Sequence, residues 1–270
     1  MRTCARWSPT TGRWLRRPKY SVLRPARPPE TSVDVCQAGV VDLEGRVFVV
    51  AGGAGVAGET VASGLLRHGA AVAVTSRAER RLADVREALG SSQLHCFTGD
   101  MSDLAATEAI RDEIVETLGR IDGVVASLGG WWEGPPLTEL DPAIWHRIVA
   151  DNLTSHFIAA RAFLPALFGL PDAVYVTLGG VGATIPIPHA APVSVTGAAQ
   201  TRLLACLAAE HTGVRLHEVR IMTPIVTRHW DRADRELEWL TGEQVGDYLA
   251  QVVSDGFPEP DQLVLHLPGP

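Results

Sequence analysis

The chain has 270 residues, room for one large α/β domain or two small ones, and 46% of them are hydrophobic, enough for a sizeable core. Its formal net charge of −7 is uneven: residues 1–40 carry eight Lys and Arg against Glu30 and Asp34, while the other 230 residues carry 16 Arg against 29 acids. An acidic body argues against a nucleic-acid partner, no apolar run reaches the roughly 18 residues that span a bilayer, and four scattered Cys with no CxxC or HExxH argue against a metal site and for a reduced, cytoplasmic protein.

Residues 1–40 form a basic, Pro- and Arg-rich extension with no helical period, expected to be disordered. A targeting presequence, an anionic-surface anchor, a processed leader and a dispensable extension or upstream start all remain open, although no signal-like apolar segment follows the basic residues. Residues 41–270 read as a single domain. Short apolar runs suited to buried parallel strands occur at 47–51 (VFVVA), 71–75 (AVAVT), 94–97 (LHCF), 123–127 (GVVAS), 173–178 (AVYVTL), 214–221 (VRLHEVRI) and 262–267 (QLVLHL). Segments of helical length separate them, including 144–168, and Gly69, Gly90 and Gly119 are placed to stop helices. Seven strands joined by helices predict a Rossmann-like doubly wound sheet, mostly parallel, with helices on both faces.

The first strand runs into AGGAGVAGE, where Gly52, Gly55 and Gly58 give GxxGxxG and a helix opens at about Val56. Strand, glycine turn and helix N-terminus together make a phosphate cradle, because backbone must approach a pyrophosphate closely and the helix start supplies free N–H groups. A site preferring NAD(H) places an acid about 20 residues on to hold the ribose 2′-OH. Here Thr75, Ser76 and Arg77 stand 17–19 residues past Gly58. Ser76 and Arg77 suit a 2′-phosphate, which favours NADP(H) over NAD(H); alternatively Arg77 starts a solvated helix face with Arg80 and Arg81.

The ordered set of motifs resembles the short-chain dehydrogenase/reductase superfamily over about residues 43–268. It comprises the glycine turn, VTSRAERRL, FTGDMSD, GRIDGVVASLGG, DNLTSHFIAARAFLPAL, VYVTLGG and TPIVT. The resemblance implies hydride transfer between NAD(P)H and a carbonyl or alcohol. It puts Asp100 and Met101 near the adenine, Ser127 and Gly129 after the fourth strand, and Pro224 and Thr227 in the loop beside the nicotinamide. The family's Asn maps to Asn152. Its catalytic Ser, Tyr and Lys map to Gly180, Val193 and Gly197. No YxxxK exists anywhere, since the single lysine is Lys19 and the tyrosines are Tyr20, Tyr175 and Tyr248. The segment 227–243 corresponds to the family's mobile substrate lid.

His189, in the loop before the helix that carries Val193, is the candidate replacement proton donor, or a loop histidine bonded to backbone. Ser194 suits the N-cap of that helix. Trp131 and Trp132 follow the fourth strand, where open α/β sheets collect ligands, and offer an aromatic substrate surface or a loop anchored by one ring. Ala199, Leu203 and Leu207, with Leu204 and Ala208, make an apolar face for a homo-dimer or homo-tetramer, or for the domain's own sheet. Two functions follow: an NADP(H)-dependent oxidoreductase acting on a small molecule by non-standard proton donation, or a catalytically silent dinucleotide- or partner-binding module.

Overall fold

The computed structural model describes residues 41–211, 213–228, 239–255, 257 and 262–268, together with Arg6–Trp7 and Trp14–Leu15. These last two form a pair of antiparallel two-residue strands within a unit spanning Met1–Glu30; the second unit spans Thr31–Pro270. The rest of the expected disordered extension lies outside the described residues.

Among the described residues, the second unit's main sheet holds seven parallel strands: β1 (Val47–Ala51), β2 (Ala71–Ser76), β3 (Leu94–Thr98), β4 (Gly123–Ala126), β5 (Val174–Gly180), β6 (Arg215–Ile221) and β7 (Val264–Leu267). Their order across the sheet is β7-β6-β5-β4-β1-β2-β3. The doubly wound fold expected from the alternating pattern is therefore present. The order reverses between β1 and β4, the point beyond whose C-terminal strand ends open α/β sheets form their ligand crevice.

Among the described residues, seven α-helices connect the strands: α1 (Val56–Arg67), α2 (Glu79–Leu89), α3 (Leu104–Leu118), α4 (Pro142–Val149), α5 (Ser155–Leu167), α6 (Ala191–Glu210) and α7 (Gly242–Val253). Apolar residues of α1, α2 and α7 cover one face of the sheet, around Phe48, Val72 and Val219. Those of α3, α5 and α6 cover the other, around Val49, Val124 and Tyr175. Both layers exist because strands with apolar side chains on both faces must be covered on both. Gly90 and Gly119 end α2 and α3 in the left-handed conformation, as their positions predict. The stretch 144–168 is two helices, α4 and α5, joined without a break by a π-helical turn at Ala150–Thr154. Helices α1 and α7 cross at Gly64 and Gly246 so closely that a Cβ on Gly64 would meet the Gly246 backbone. Among the described residues, no helix is long and apolar enough to cross a membrane, and no cluster of His, Cys, Asp and Glu could hold a metal.

Candidate functional site

At the end of β1 the chain turns at Gly52, with φ +79° and its N–H donated to Thr75 Oγ1 at 3.2 Å. A side chain on Gly52 would strike the Ser127 carbonyl, and one on Gly58 would strike the Gly52 carbonyl. The turn is thus built by backbone lying directly on backbone. No side chain caps α1, and the Glu59 N–H donates to the Gly55 carbonyl at 2.8 Å. The preceding N–H groups of Val56, Ala57 and Gly58 have no acceptor within the helix and face the crevice end of the strands. Free donors and a turn stripped of side chains fit a dinucleotide pyrophosphate.

Ser76 and Arg77 leave the end of β2. The Ser76 hydroxyl oxygen accepts from the Ala78 N–H at 3.2 Å, so its own O–H remains a donor. Arg77 is largely exposed and pairs with Asp151 on the π-helical turn, Nη1 to Oδ1 3.4 Å. After β3, Asp100 Oδ1 accepts from Ser102 N–H at 2.9 Å and Ser102 Oγ at 2.7 Å. Burial pushes this carboxyl upward, but the Ser102 hydrogen bonds and the nearby Arg77 charge outweigh it and hold it below the usual range. Met101 is buried beside it.

The loop after β4 is stitched to α4–α5 at two points. Asn152 Oδ1 accepts from the Gly130 N–H at 3.1 Å, and its Nδ2 donates to the Gly130 carbonyl at 2.9 Å. One helical turn further on, His156 Nε2 donates to the Leu128 carbonyl at 3.2 Å. Burial drives the His156 pKa down to about 4 against the opposing pull of that bond, so the ring is neutral near pH 7. Ser127 and Gly129 lie in the same loop. Trp131 is exposed, whereas Trp132 lies on Gly134. His189 is bound to this loop: its Nδ1 contacts the Gly134 carbonyl at 3.1 Å, and the Gly134 N–H donates to the His189 carbonyl at 2.9 Å. His189 therefore latches the tryptophan loop to the β5–α6 loop.

Beyond β6, Ile225–Val226 pairs in parallel with Leu240–Thr241, and the Leu240 N–H donates to Thr223 Oγ1 at 3.3 Å. Pro224 and Thr227 lie on this segment. The next residue, Arg228, clamps Glu59 of α1 through two hydrogen bonds of 2.6 and 3.0 Å. Residues 229–238 of the expected lid lie outside the described residues.

A different chemistry occupies the space between β5, β6 and α6. Glu218 is fully buried and Arg220 nearly so, with Arg220 Nε donating to Glu218 Oε1 at 2.9 Å. Arg220 also donates to Thr184 Oγ1 and Thr201 Oγ1, each at 2.8 Å, while Thr201 donates to Glu218 Oε2 at 2.6 Å. Strand register puts Thr177 beside Glu218 and Gly179 beside Arg220. A Cβ on Gly179 would collide with Glu218 Oε1. On α6, Val193 sits half-buried in the first turn, and a Cβ on Gly197 would lie 3.2 Å from Ala183 Cβ. Around Gly180 there is open space. Ser194 is not the N-cap of α6. The helix starts earlier, at Ala191, because Pro192 has the φ that the first turn requires and no N–H to leave unpaired. Ser194 Oγ accepts instead from the Ile187 N–H at 3.1 Å.

Residues 46–233 match the family model described as short chain dehydrogenase. The chain belongs to the short-chain dehydrogenase/reductase family. Galactitol 2-dehydrogenase of Rhizobium johnstonii is 32% identical over 210 residues, covering 73% of this chain and 80% of that protein. The 2-(S)-hydroxypropyl-CoM dehydrogenase 3 of Xanthobacter autotrophicus is 29% identical over 182 residues, 66% of this chain and 71% of that protein. Among solved structures, a short chain dehydrogenase from Mycobacterium smegmatis superposes with a TM-score of 0.72 at 25% identity, covering 88% of this chain and 96% of that one.

Two of the chain's three tyrosines, Tyr175 and Tyr248, are buried. Tyr175 is buried inside β5 with its hydroxyl unpartnered, and burial raises its pKa further. Tyr248 lies on α7, pushed up to about 12 by burial. Tyr20 lies outside the described residues. The Glu218–Arg220 pair was hidden in a strand that reads as apolar. Its signal was two opposite charges at i and i+2, hence on one face, beside a Gly-Gly strand end.

Proposed function

We propose that the chain binds NADP(H) at the glycine turn and acts as an oxidoreductase on a small carbonyl or alcohol substrate, with proton transfer by a group other than the family's Tyr–Lys pair. The observation that carries this reading is the cradle: backbone packed on backbone at Gly52 and Gly58, an uncapped helix start, and Ser76 and Arg77 at the far end. The dehydrogenase names of the similar proteins accord with it. When bound, a nicotinamide cofactor supplies or accepts the hydride. The chain's own residues would hold the dinucleotide with the N–H groups at the start of α1, meet a 2′-phosphate with Ser76 and Arg77, and flank the nicotinamide with Ser127, Gly129, Pro224 and Thr227. Asn152 and His156 fix the β4 loop that forms one wall. Trp131 offers its exposed ring to substrate, and His189 retains Nε2 for a proton. The protein is proposed to work in the cytoplasm as a homo-dimer or homo-tetramer; Phe157 of α5 and Val195 of α6 are exposed apolar residues on the helices such pairing would use.

A second reading is favoured by the Glu218–Arg220 network and by Ala183 standing against Gly197: a silent dinucleotide-binding module. One series separates the two. Fluorescence titration with NADPH should give saturable binding in the wild type and at least about 10-fold weaker binding in Gly58→Ala, whose methyl enters the cradle. Lack of wild-type binding removes the redox reading. Binding followed by no turnover across a broad carbonyl panel favours the silent module.

A further inference from the structure

At the adenosine end of the crevice an arginine stands between two carboxylates from different elements. Arg77 comes from the turn after β2, Asp100 from the end of β3 and Asp151 from the π-helical turn between α4 and α5. Arg77 Nη1 lies 3.4 Å from Asp151 Oδ1, and its charge reaches Asp100. Both acids are held. Asp100 accepts two bonds from Ser102. Asp151 accepts the Ser155 hydroxyl at its carbonyl, 2.6 Å, and precedes Asn152, whose amide is tied to both backbone groups of Gly130. Arg77 is the exposed, adaptable member, with 62% of its side chain accessible.

We propose that Asp151 is a specificity-determining residue that competes with the adenosine 2′-phosphate for Arg77, and so sets how strongly the chain prefers NADP(H) over NAD(H). The inference rests on the NADP(H) reading. A 2′-phosphate beside Ser76 recruits Arg77 through charge-assisted hydrogen bonds. That exchange breaks the Arg77–Asp151 contact and leaves a carboxylate near the new anion. NAD(H) carries a neutral hydroxyl there and leaves Arg77 on Asp151. The carboxylate thus opposes one cofactor and is indifferent to the other, and specificity is that difference. Residues 77 and 151 lie far apart in sequence, and the fold sets Asp151, on the π-helical turn, against Arg77.

The test is calorimetric titration of the full chain with NADPH, NADH and adenosine 2′,5′-bisphosphate. Asp151→Asn should bind NADPH and the bisphosphate about 5- to 10-fold more tightly, with NADH changed less than about 2-fold, and the gain should shrink in high salt. Arg77→Gln should weaken NADPH and the bisphosphate while leaving NADH alone. If Arg77→Gln behaves so but Asp151→Asn leaves the NADPH-to-NADH ratio at the wild-type value, the role of Asp151 is overturned and the cofactor reading stands. If Arg77→Gln leaves the ratio unchanged, the 2′-phosphate reading falls and this inference with it.

Discussion

The two halves of the crevice follow different rules. On the β1–β2 side the site is made of backbone: a carbonyl against Gly52, a carbonyl against Gly58, and free N–H groups at the start of α1. On the β5–β6 side the structure is made of side chains: a buried ion pair with its threonine partners. Backbone sites tolerate little substitution because any added Cβ lands on main chain. Side-chain sites can be rewritten while the strands keep their register. Here β5 and β6 pair through all seven residues from Val174 to Gly180.

The sharpest way to break this comparison is to remove one charge from the side-chain half. Arg220→Met strands the Glu218 carboxylate in the interior, and breaking a buried pair in this way costs about 3–5 kcal/mol. Equilibrium urea unfolding should register the loss, and replacing both residues with Met should recover much of it. A loss below about 1 kcal/mol would mean that the pair behaves like a surface contact.

His156 gives the next largest effect. The unfolded chain takes up its proton near pH 6.5, whereas the buried ring does so only near 4. The unfolded state therefore binds more protons between these values, so stability is full above about 6.5 and falls as pH drops toward 4. The loss reaches about 2 kcal/mol by pH 5. Urea midpoints at pH 7.5 and 5 should differ by more in the wild type than in His156→Gln; equal differences would remove His156 as the cause.

The mildest test tries to write the family's residues back. Val193→Tyr with Gly197→Lys pushes a side chain toward Ala183, at a cost of about 1–3 kcal/mol for overpacking. The pair alone should bring no gain in reductase turnover over the wild type, and adding Ala183→Gly should restore part of the lost thermal stability. Turnover raised well above the wild-type level by the two-residue variant would mean that the written-back pair meets cofactor and substrate in reacting geometry without further change.

The fold was legible because each strand is an apolar run closed by a helix of familiar length, and because Gly52 and Gly58 advertise a turn that only glycine builds. The absence of any YxxxK was equally legible, since the single lysine is Lys19. The packing between β5, β6 and α6 was not. Glu218 and Arg220 meet across a strand only once register is known, and Ala183 reaches Gly197 through a turn that no motif encodes. His189 stands out in the sequence for its chemistry, but its Nδ1 and backbone contacts with Gly134 depend on a loop pairing that no motif shows. Ser194 followed a capping preference that Pro192 overrode by starting the helix earlier.

The crossing of α1 over α7 at Gly64 and Gly246 has a kinetic consequence. Two helices that touch main chain to main chain cannot slide without separating, so the start of α1 is held in one attitude before any ligand arrives. A receptor that is already ordered loses little further freedom on binding. Dinucleotide association with wild-type protein should therefore follow a single exponential whose rate rises linearly with concentration, with no slow isomerisation phase from this side of the crevice.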